Sequence, residues 1–325
     1  MAKGQVIEGL TKGQNWLLTG HVDLDPDCLG SLLALKWALE RMGKQAQIIC
    51  ATPVPPTLRF LPGSETVLSP NGHFSPDGVV IIDCERDRTG LPPAYFQGPL
   101  VINIDHHQSN PRDCHINWVE PAAAAAGELV YELLVDLALQ PDRECATCLY
   151  ASLVGDTGGF RYSNTTGKVL TTAAQLVELG AQPGEINREL YENRPLNYMK
   201  ILGEVLNSIE CVGPVAWAAL PRWLLEKYPL DPGDLEGFVG YTRMIRGVEL
   251  GIFFTEGPAE VKVSFRSQRV FNVGQLAQEL GGGGHPRAAG CTLPGSLEEV
   301  VPQVLSLAQH HLRRELGPWT EYSTS

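Results

Sequence analysis

The sequence predicts two α/β domains, the first on a mainly parallel sheet flanked by helices, the second smaller and built on a mixed sheet. Three observations predict them. Between residues 15 and 108, short runs rich in Val and Ile alternate with a helix-period segment; residues 121–209 read as mostly helical; and strand texture returns after Cys211. With 325 residues, 43% of them apolar, the chain is long enough for two cores. The expected boundaries are a first domain at 1–190, a helical connector at 191–210 and a second domain at 211–325.

Taken in order, "NWLLTG" reads as a strand, and "SLLALKWALERMG" as a helix that stops at Gly43. "QAQIICA", "GVVIID" and "PLVINID" follow as strands, apolar throughout and bounded by Gly or Pro, the pattern of parallel strands buried on both faces. The helical region runs through "AAAAAGELVYELLVDLAL", "DRECATCLYASLVGD", "TGKVLTTAAQLVELG", "GEINRELYEN" and "LNYMKILGEVLNSI". In the last third, "PVAWAAL", "VELGIFFT" and "AEVKVSFRS" are strands, separated by helical "DLEGFVGYTRMI". Helical "VGQLAQEL", a glycine run and a terminal helix from about Ser296 complete the chain.

Composition excludes several classes. The net charge of −12, from 25 basic and 37 acidic residues, argues against holding a long nucleic acid by phosphate neutralisation alone, so a polyanionic ligand needs a localised positive site. Eight Cys are too few for a disulfide scaffold, and the start lacks the plan of a signal peptide. No apolar run approaches a membrane span, so no membrane partner is expected and the cytoplasm is the default. Cys145 and Cys148 form one CxxC within a helical pattern and have no second pair, so packing is preferred over zinc or redox chemistry.

Polar residues collect where strands stop, the edge at which open α/β sheets place ligands. In "GHVDLDPDCLGS", Asp25 is placed to cap a helix with Pro26 at its first position, so His21, Asp25 and Asp27 can point into one space. The plainer alternative, a capping Asp and a surface histidine, weakens once the other clusters are counted. Asp83 ends "VVIID", Asp105, His106 and His107 end "INIDHH", and Asp156 ends "YASLVGD" against two glycines. A carboxylate buried unpaired costs several kcal/mol, so each needs donors or a cation. Carboxylate and imidazole without thiolate suit Mn²⁺ or Mg²⁺. Asp25, Asp27, Asp83 and Asp156 balance two divalent ions, which could clamp a phosphoryl group for attack by a bridging water or hydroxide. One imidazole can then bind metal while its neighbour faces substrate, with Asp105 orienting the ligating ring. In "VKVSFRSQ" and "LGGGGHPRAAG", Arg266 offers a fork for phosphate and the glycine amides can approach an anion, although a flexible loop is the plainer reading of the glycines alone.

These motifs closely resemble the DHH phosphoesterase family. "HVDLDPD", Asp83, "DHHQSN" and "GDTGGFRYSNTT" look like its successive motifs, and "SFRSQ" with "GGGGHPRAAG" is similar to the associated DHHA1 domain. The resemblance implies a phosphoesterase that uses two Mn²⁺, with Mg²⁺ or Co²⁺ as alternatives, in a cleft between the domains. By the same resemblance His21, Asp25 and Asp83 hold one ion, Asp27, Asp83, His106 and Asp156 the other, and Asp83 bridges. His107 contacts the scissile phosphate or assists proton transfer, backed by Asp105, while Arg266, Ser267, Gly282, Gly283, Gly284 and His285 hold substrate. Cys28 stands where a small apolar residue is expected.

Within the family, length and domain pair look most like the nanoRNase type. That implies short oligoribonucleotides and 3′-phosphoadenosine 5′-phosphate (PAP) as substrates and is compatible with a homodimer. The alternatives are a phosphodiesterase of cyclic or linear dinucleotides, a RecJ-like single-strand DNA exonuclease, and an inactive nucleotide sensor. The sensor reading needs a missing metal ligand, and none is missing.

Overall fold

The computed structural model describes residues 2–70, 75–230, 235 and 237–316. The chain divides into two compact units, residues 1–193 and 194–325. The first contains α1 (Ala2–Lys12), β1 (Asn15–Thr19), α2 (Pro26–Arg41), β2 (Gln45–Ile48), β3 (Gly78–Ile82), β4 (Leu100–Asp105), β5 (Ile116–Val119), α3 (Ala126–Asp136), α4 (Arg143–Asp156), α5 (Gly167–Glu178) and α6 (Pro183–Asn187), which runs into a π-helical turn at Arg188–Glu192. All five strands are parallel, in the order β2-β1-β3-β4-β5.

Side chains alternate across this sheet. Leu18, Val80, Ile82, Ile102 and Ile104 pack into the core shared with α2, α3 and α4, whereas Leu17, Val79, Ile81 and Val101 face a smaller cluster. The smaller cluster is backed by the loop from β3 to β4, whose 3₁₀ turns are Arg86–Thr89 and Pro93–Phe96. Burial on both faces explains the unbroken apolar runs. Strand order reverses between β1 and β3, so the loops after their carboxyl ends open the crevice typical of a ligand site.

In the second unit follow α7 (Leu196–Asn207), β6 (Glu210–Val212), β7 (Val215–Leu220), α8 (Arg222–Lys227), α9 (Phe238–Arg243), β8 (Leu250–Glu256), β9 (Glu260–Ser267), α10 (Val273–Glu279), β10 (Gly283–His285), β11 (Ala288–Pro294) and α11 (Leu297–Leu316). Its sheet, in the order β10-β11-β9-β8-β7-β6, is mixed: only β7 and β8 run parallel. Val261, Val263 and Phe265 face Leu276, Val300 and Val304, while Phe253 and Ala218 face Tyr198, Ile201 and Phe238. Tyr198, Ile201 and Val205 of α7 are therefore core residues of this unit, although the sequence reads the segment as a connector. The expected helix "DLEGFVGYTRMI" corresponds to α9, and its first residue, Asp234, lies outside the described residues.

Three differences from the sequence reading have physical causes. Strands β5 and β6 span four and three residues, too short to show alternation. The segment "AAGCTLP" of β11 has little β-branched content, so its strand character comes from pairing with β9 and not from propensity. The glycine run is not a loop: Gly283–His285 is an edge strand paired antiparallel with Ala288–Gly290.

Candidate metal centre

The centre is assembled from the loop after β1, the first turn of α2, the ends of β3 and β4, and the C-terminus of α4. Asp25 caps α2, accepting the Cys28 N–H at 2.9 Å through Oδ1, with Pro26 at the first helical position. Its Oδ2 is left facing His21 Nε2 at 3.7 Å. Asp83 leaves β3 with φ of +66°, a left-handed conformation that Asp tolerates better than most side chains and that turns the chain sharply at the strand end. Its Oδ2 lies 3.3 Å from His21 Nε2, and its Oδ1 lies 3.2 Å from His106 Nε2. The two oxygens of one buried carboxylate thus face two separate groups, His21 with Asp25 on one side and His106 on the other.

Around His106 Nε2 three carboxylate oxygens converge: Asp156 Oδ2 at 3.1 Å, Asp83 Oδ1 at 3.2 Å and Asp27 Oδ2 at 3.6 Å. The other ring nitrogen, Nδ1, is 3.2 Å from the Ala123 carbonyl, which fixes the neutral tautomer with its proton on Nδ1. A lone pair on Nε2 would then point at three acceptors. Burial resists protonation of the ring, but hydrogen bonds to Asp156 and Asp83 outweigh it and hold His106 charged in the absence of a cation. A divalent ion satisfies the same four atoms without that proton.

Asp27 is fully buried and caged. Ser31 Oγ (3.1 Å), Gly127 N (3.0 Å) and Ser152 Oγ (2.6 Å) donate to Oδ1, and Ala126 N (2.7 Å) donates to Oδ2. The two amides open α3, so its dipole also favours the charge. Hydrogen bonds to an ionised group are worth roughly 1.5–3 kcal/mol each, so four together offset a desolvation cost of several kcal/mol. Burial and repulsion from Asp83 and Asp156 nonetheless push the Asp27 carboxyl well up. Donors set for an ionised carboxylate, with anionic neighbours that oppose it, fit a cation at this point. Burial likewise raises Asp25 to about 6, and His21 rises to about 9 because Asp25 and Asp83 outweigh its burial.

One expectation is corrected. Asp105 does not orient the ligating ring: its Oδ1 accepts His107 Nδ1–H at 2.7 Å and the amides of His106 and His107 at 2.7 and 3.1 Å, so it fixes the second imidazole. Asn110, itself bound to Asn103 Oδ1 at 2.7 Å, donates to the other Asp105 oxygen at 2.5 Å. Sequence reasoning missed this pair, as it missed Ser31, Ser152 and Asn164. Asn164 Nδ2 donates both to the Asp156 carbonyl (3.0 Å) and to the Ala124 carbonyl (3.1 Å), tying α4's end to the alanine-rich loop that orients His106 and binds Asp27. The signal for Ser31 and Ser152 was present as spacing, four residues after Asp27 and four before Asp156, one helical turn in each case.

The second-unit candidates lie on β9, after α10 and in β10. Arg266 lies on β9, and its Nη1 donates to the carbonyl of Phe265 at 3.0 Å. Ser267 is buried; its hydroxyl donates to the Pro286 carbonyl (3.3 Å) and its amide to the Arg287 carbonyl (3.1 Å), so it braces a turn. Gly282 donates its amide to the Ala277 carbonyl at 2.7 Å, closing α10, which removes it as an anion donor. Gly283 is exposed and open, Gly284 packs on β11, and His285 lies in β10 with its side chain outside the described atoms. Cys145 and Cys148 are buried in the α4 core, and burial drives both thiols up.

Residues 15–153 match the model of the DHH family N-terminal domain, and residues 216–314 match the DHHA1 domain. The chain is 36% identical to the bifunctional oligoribonuclease and PAP phosphatase NrnA of Thermus thermophilus, covering 90% of this chain and 89% of that one. The chain belongs to the DHH phosphoesterase family. As a DHH protein it is a metal-dependent hydrolase of phosphoester bonds. The NrnA of Bacillus subtilis strain 168 is 28% identical over 95% of this chain and 99% of that one. A solved exopolyphosphatase-related protein from Bacteroides fragilis shares the fold, with a TM-score of 0.87, 24% identity and 96% of each chain covered. Among the described residues no helix is long and apolar enough to cross a membrane.

Proposed function

We propose that this DHH protein uses two Mn²⁺ ions to hydrolyse short oligoribonucleotides to mononucleotides and PAP to AMP. The observation that carries the reading is Asp83, whose two oxygens face two separate groups of donors. His21, Asp25 and Asp83 would hold one ion, and Asp27, Asp83, His106 and Asp156 the other. Bound there, the ions would polarise the phosphoryl oxygens and lower the pKa of a nucleophilic water. Two relatives named as bifunctional oligoribonuclease and PAP phosphatase support this substrate class, and a net charge of −12 agrees with substrates too short to need a basic track.

The chain's own residues supply the rest. His107 donates an Nδ1–H hydrogen bond to Asp105; burial opposes a charge on the ring, but this bond and nearby Asp83 raise its affinity for a second proton. Nε2 can then hold that proton for a phosphate oxygen or for the departing ribose oxygen. Asp105, kept low by His107 and Asn110 against burial, stays ionised to stabilise the imidazolium. Asn164 and the amides opening α3 keep Asp156 and Asp27 in place as charge shifts.

The test is a panel: purified protein with Mn²⁺ against dinucleotides, PAP, linear and cyclic dinucleotides carrying the same bases, and DNA and RNA strands of increasing length. The expected result is rapid hydrolysis of dinucleotides and PAP, with activity per end falling as strands lengthen. Rates that climb steadily to tens of nucleotides would replace this reading with a single-strand exonuclease.

A further inference from the structure

Cys28 is fully buried in the first turn of α2, in the position where the family resemblance leads one to expect a small apolar residue. Its sulfur is wedged between the ends of two strands. Sγ lies 3.9 Å from the Ile82 carbonyl, and a Cβ placed on Gly20 would fall 2.0 Å from it, so only a glycine there leaves room for the thiol. Gly20 and Ile82 are the residues immediately before His21 and Asp83. Accordingly a ring nitrogen of His21, a carboxylate oxygen of Asp83 and the Cys28 sulfur all lie within 4.8 Å of one another. His21 and Asp83 are 4% and 2% exposed, so three buried donors of different hardness share one point.

We propose that Cys28 makes the His21 end of the centre a nitrogen, oxygen and sulfur site for thiophilic divalent ions, so that Cd²⁺, Zn²⁺ or Co²⁺ is held there by His21, Asp83 and the Cys28 thiolate. Mn²⁺ prefers oxygen and imidazole and has no need of the sulfur, whereas softer ions gain from it. In the exchange the S–H bond breaks, sulfur donates its freed pair to the ion and the proton passes to solvent. The inference rests on the two-ion reading of the centre and adds a selectivity to it: thiophilic ions compete with Mn²⁺ at one end and not at the other.

The experiment is a titration of the full-length, metal-free protein with Cd²⁺ and with Co²⁺, read by the sulfur-to-metal charge-transfer absorbance, alongside Mn²⁺ binding measured by electron paramagnetic resonance. Expected are a charge-transfer band that saturates at one ion per chain, its loss in Cys28→Ser, and a fall of about tenfold or more in the variant's preference for Cd²⁺ over Mn²⁺. A band that persists in Cys28→Ser, or Cd²⁺ bound with no band at all, overturns the inference while leaving the metal centre intact. A protein that binds no divalent ion overturns the centre itself. Should serine prevent folding, Cys28→Ala serves the same comparison.

Discussion

In the first unit the amides of Ala126 and Gly127 point at a carboxylate of the centre, whereas in the second the amides of Gly281 and Gly282 turn inward to the carbonyls of Gln278 and Ala277. The sequence invites the opposite assignment, because a run of glycines reads as an anion cradle and a run of alanines does not. What separates the two is where a helix begins and where one ends. An opening helix has N–H groups to spare, and a closing helix consumes those of the residues that follow it. The glycines at 282 and 284 are explained by close strand packing: a Cβ on Gly282 would lie 2.1 Å from the Gly290 carbonyl oxygen, and one on Gly284 2.6 Å from that of Ala288.

If the first unit holds the chemistry, damage there is large. Asp83→Ala removes a donor from both sides of the centre and lowers hydrolysis by about a thousandfold or more, since the several kcal/mol that bound metal supplies correspond to that factor. Steady-state rates at saturating Mn²⁺ check it. Removing a residue that only positions a donor costs less: Asn164→Ala, which unties Asp156 from Ala124, lowers Mn²⁺ affinity about 10- to 100-fold. Binding isotherms measure it, and Asn164→Gln recovering the affinity would contradict a role that depends on the length of the side chain.

Smaller effects belong to the second unit. Arg266→Ala raises KM for a dinucleotide about tenfold, the worth of one hydrogen bond to a charged group, and leaves a small chromogenic phosphodiester unchanged. Equal losses on both substrates would mean that Arg266 supports the fold. At the glycine run, Gly284→Ala meets Ala288 and Ala289 at a φ of +138° and costs about 1–3 kcal/mol, read as a fall in Tm, while Gly283→Ala enters open space and leaves Tm unchanged. A substrate defect in Gly283→Ala without loss of stability would restore an anion-binding role to that amide.

The sequence made the parallel sheet and the placement of acids and imidazoles at its strand ends legible, because burial on both faces leaves unbroken Val and Ile runs and a polar residue at such an end is conspicuous. His21, Asp25, Asp27, Asp83, His106 and Asp156 were all visible in this way, and the structure brings them together. The Ala123 carbonyl and the amides of Ala126 and Gly127 were not, since backbone groups carry no residue signature. Asn110 and Asn164 escaped because a loop asparagine looks alike whether it bonds solvent or a carboxylate. At Ser267 the sequence did not show the burial: its hydroxyl lies between β9 and the 286–287 turn and is paired within the fold.

The most direct measurement is a crystal structure of the protein with Mn²⁺, with anomalous scattering recorded at the manganese edge. Two peaks are predicted, one beside Asp83 Oδ2 among His21 and Asp25, the other beside Asp83 Oδ1 among Asp27, His106 and Asp156. A single peak, or two that leave either Asp83 oxygen without an ion, would contradict the assignment of Asp83 as the bridge.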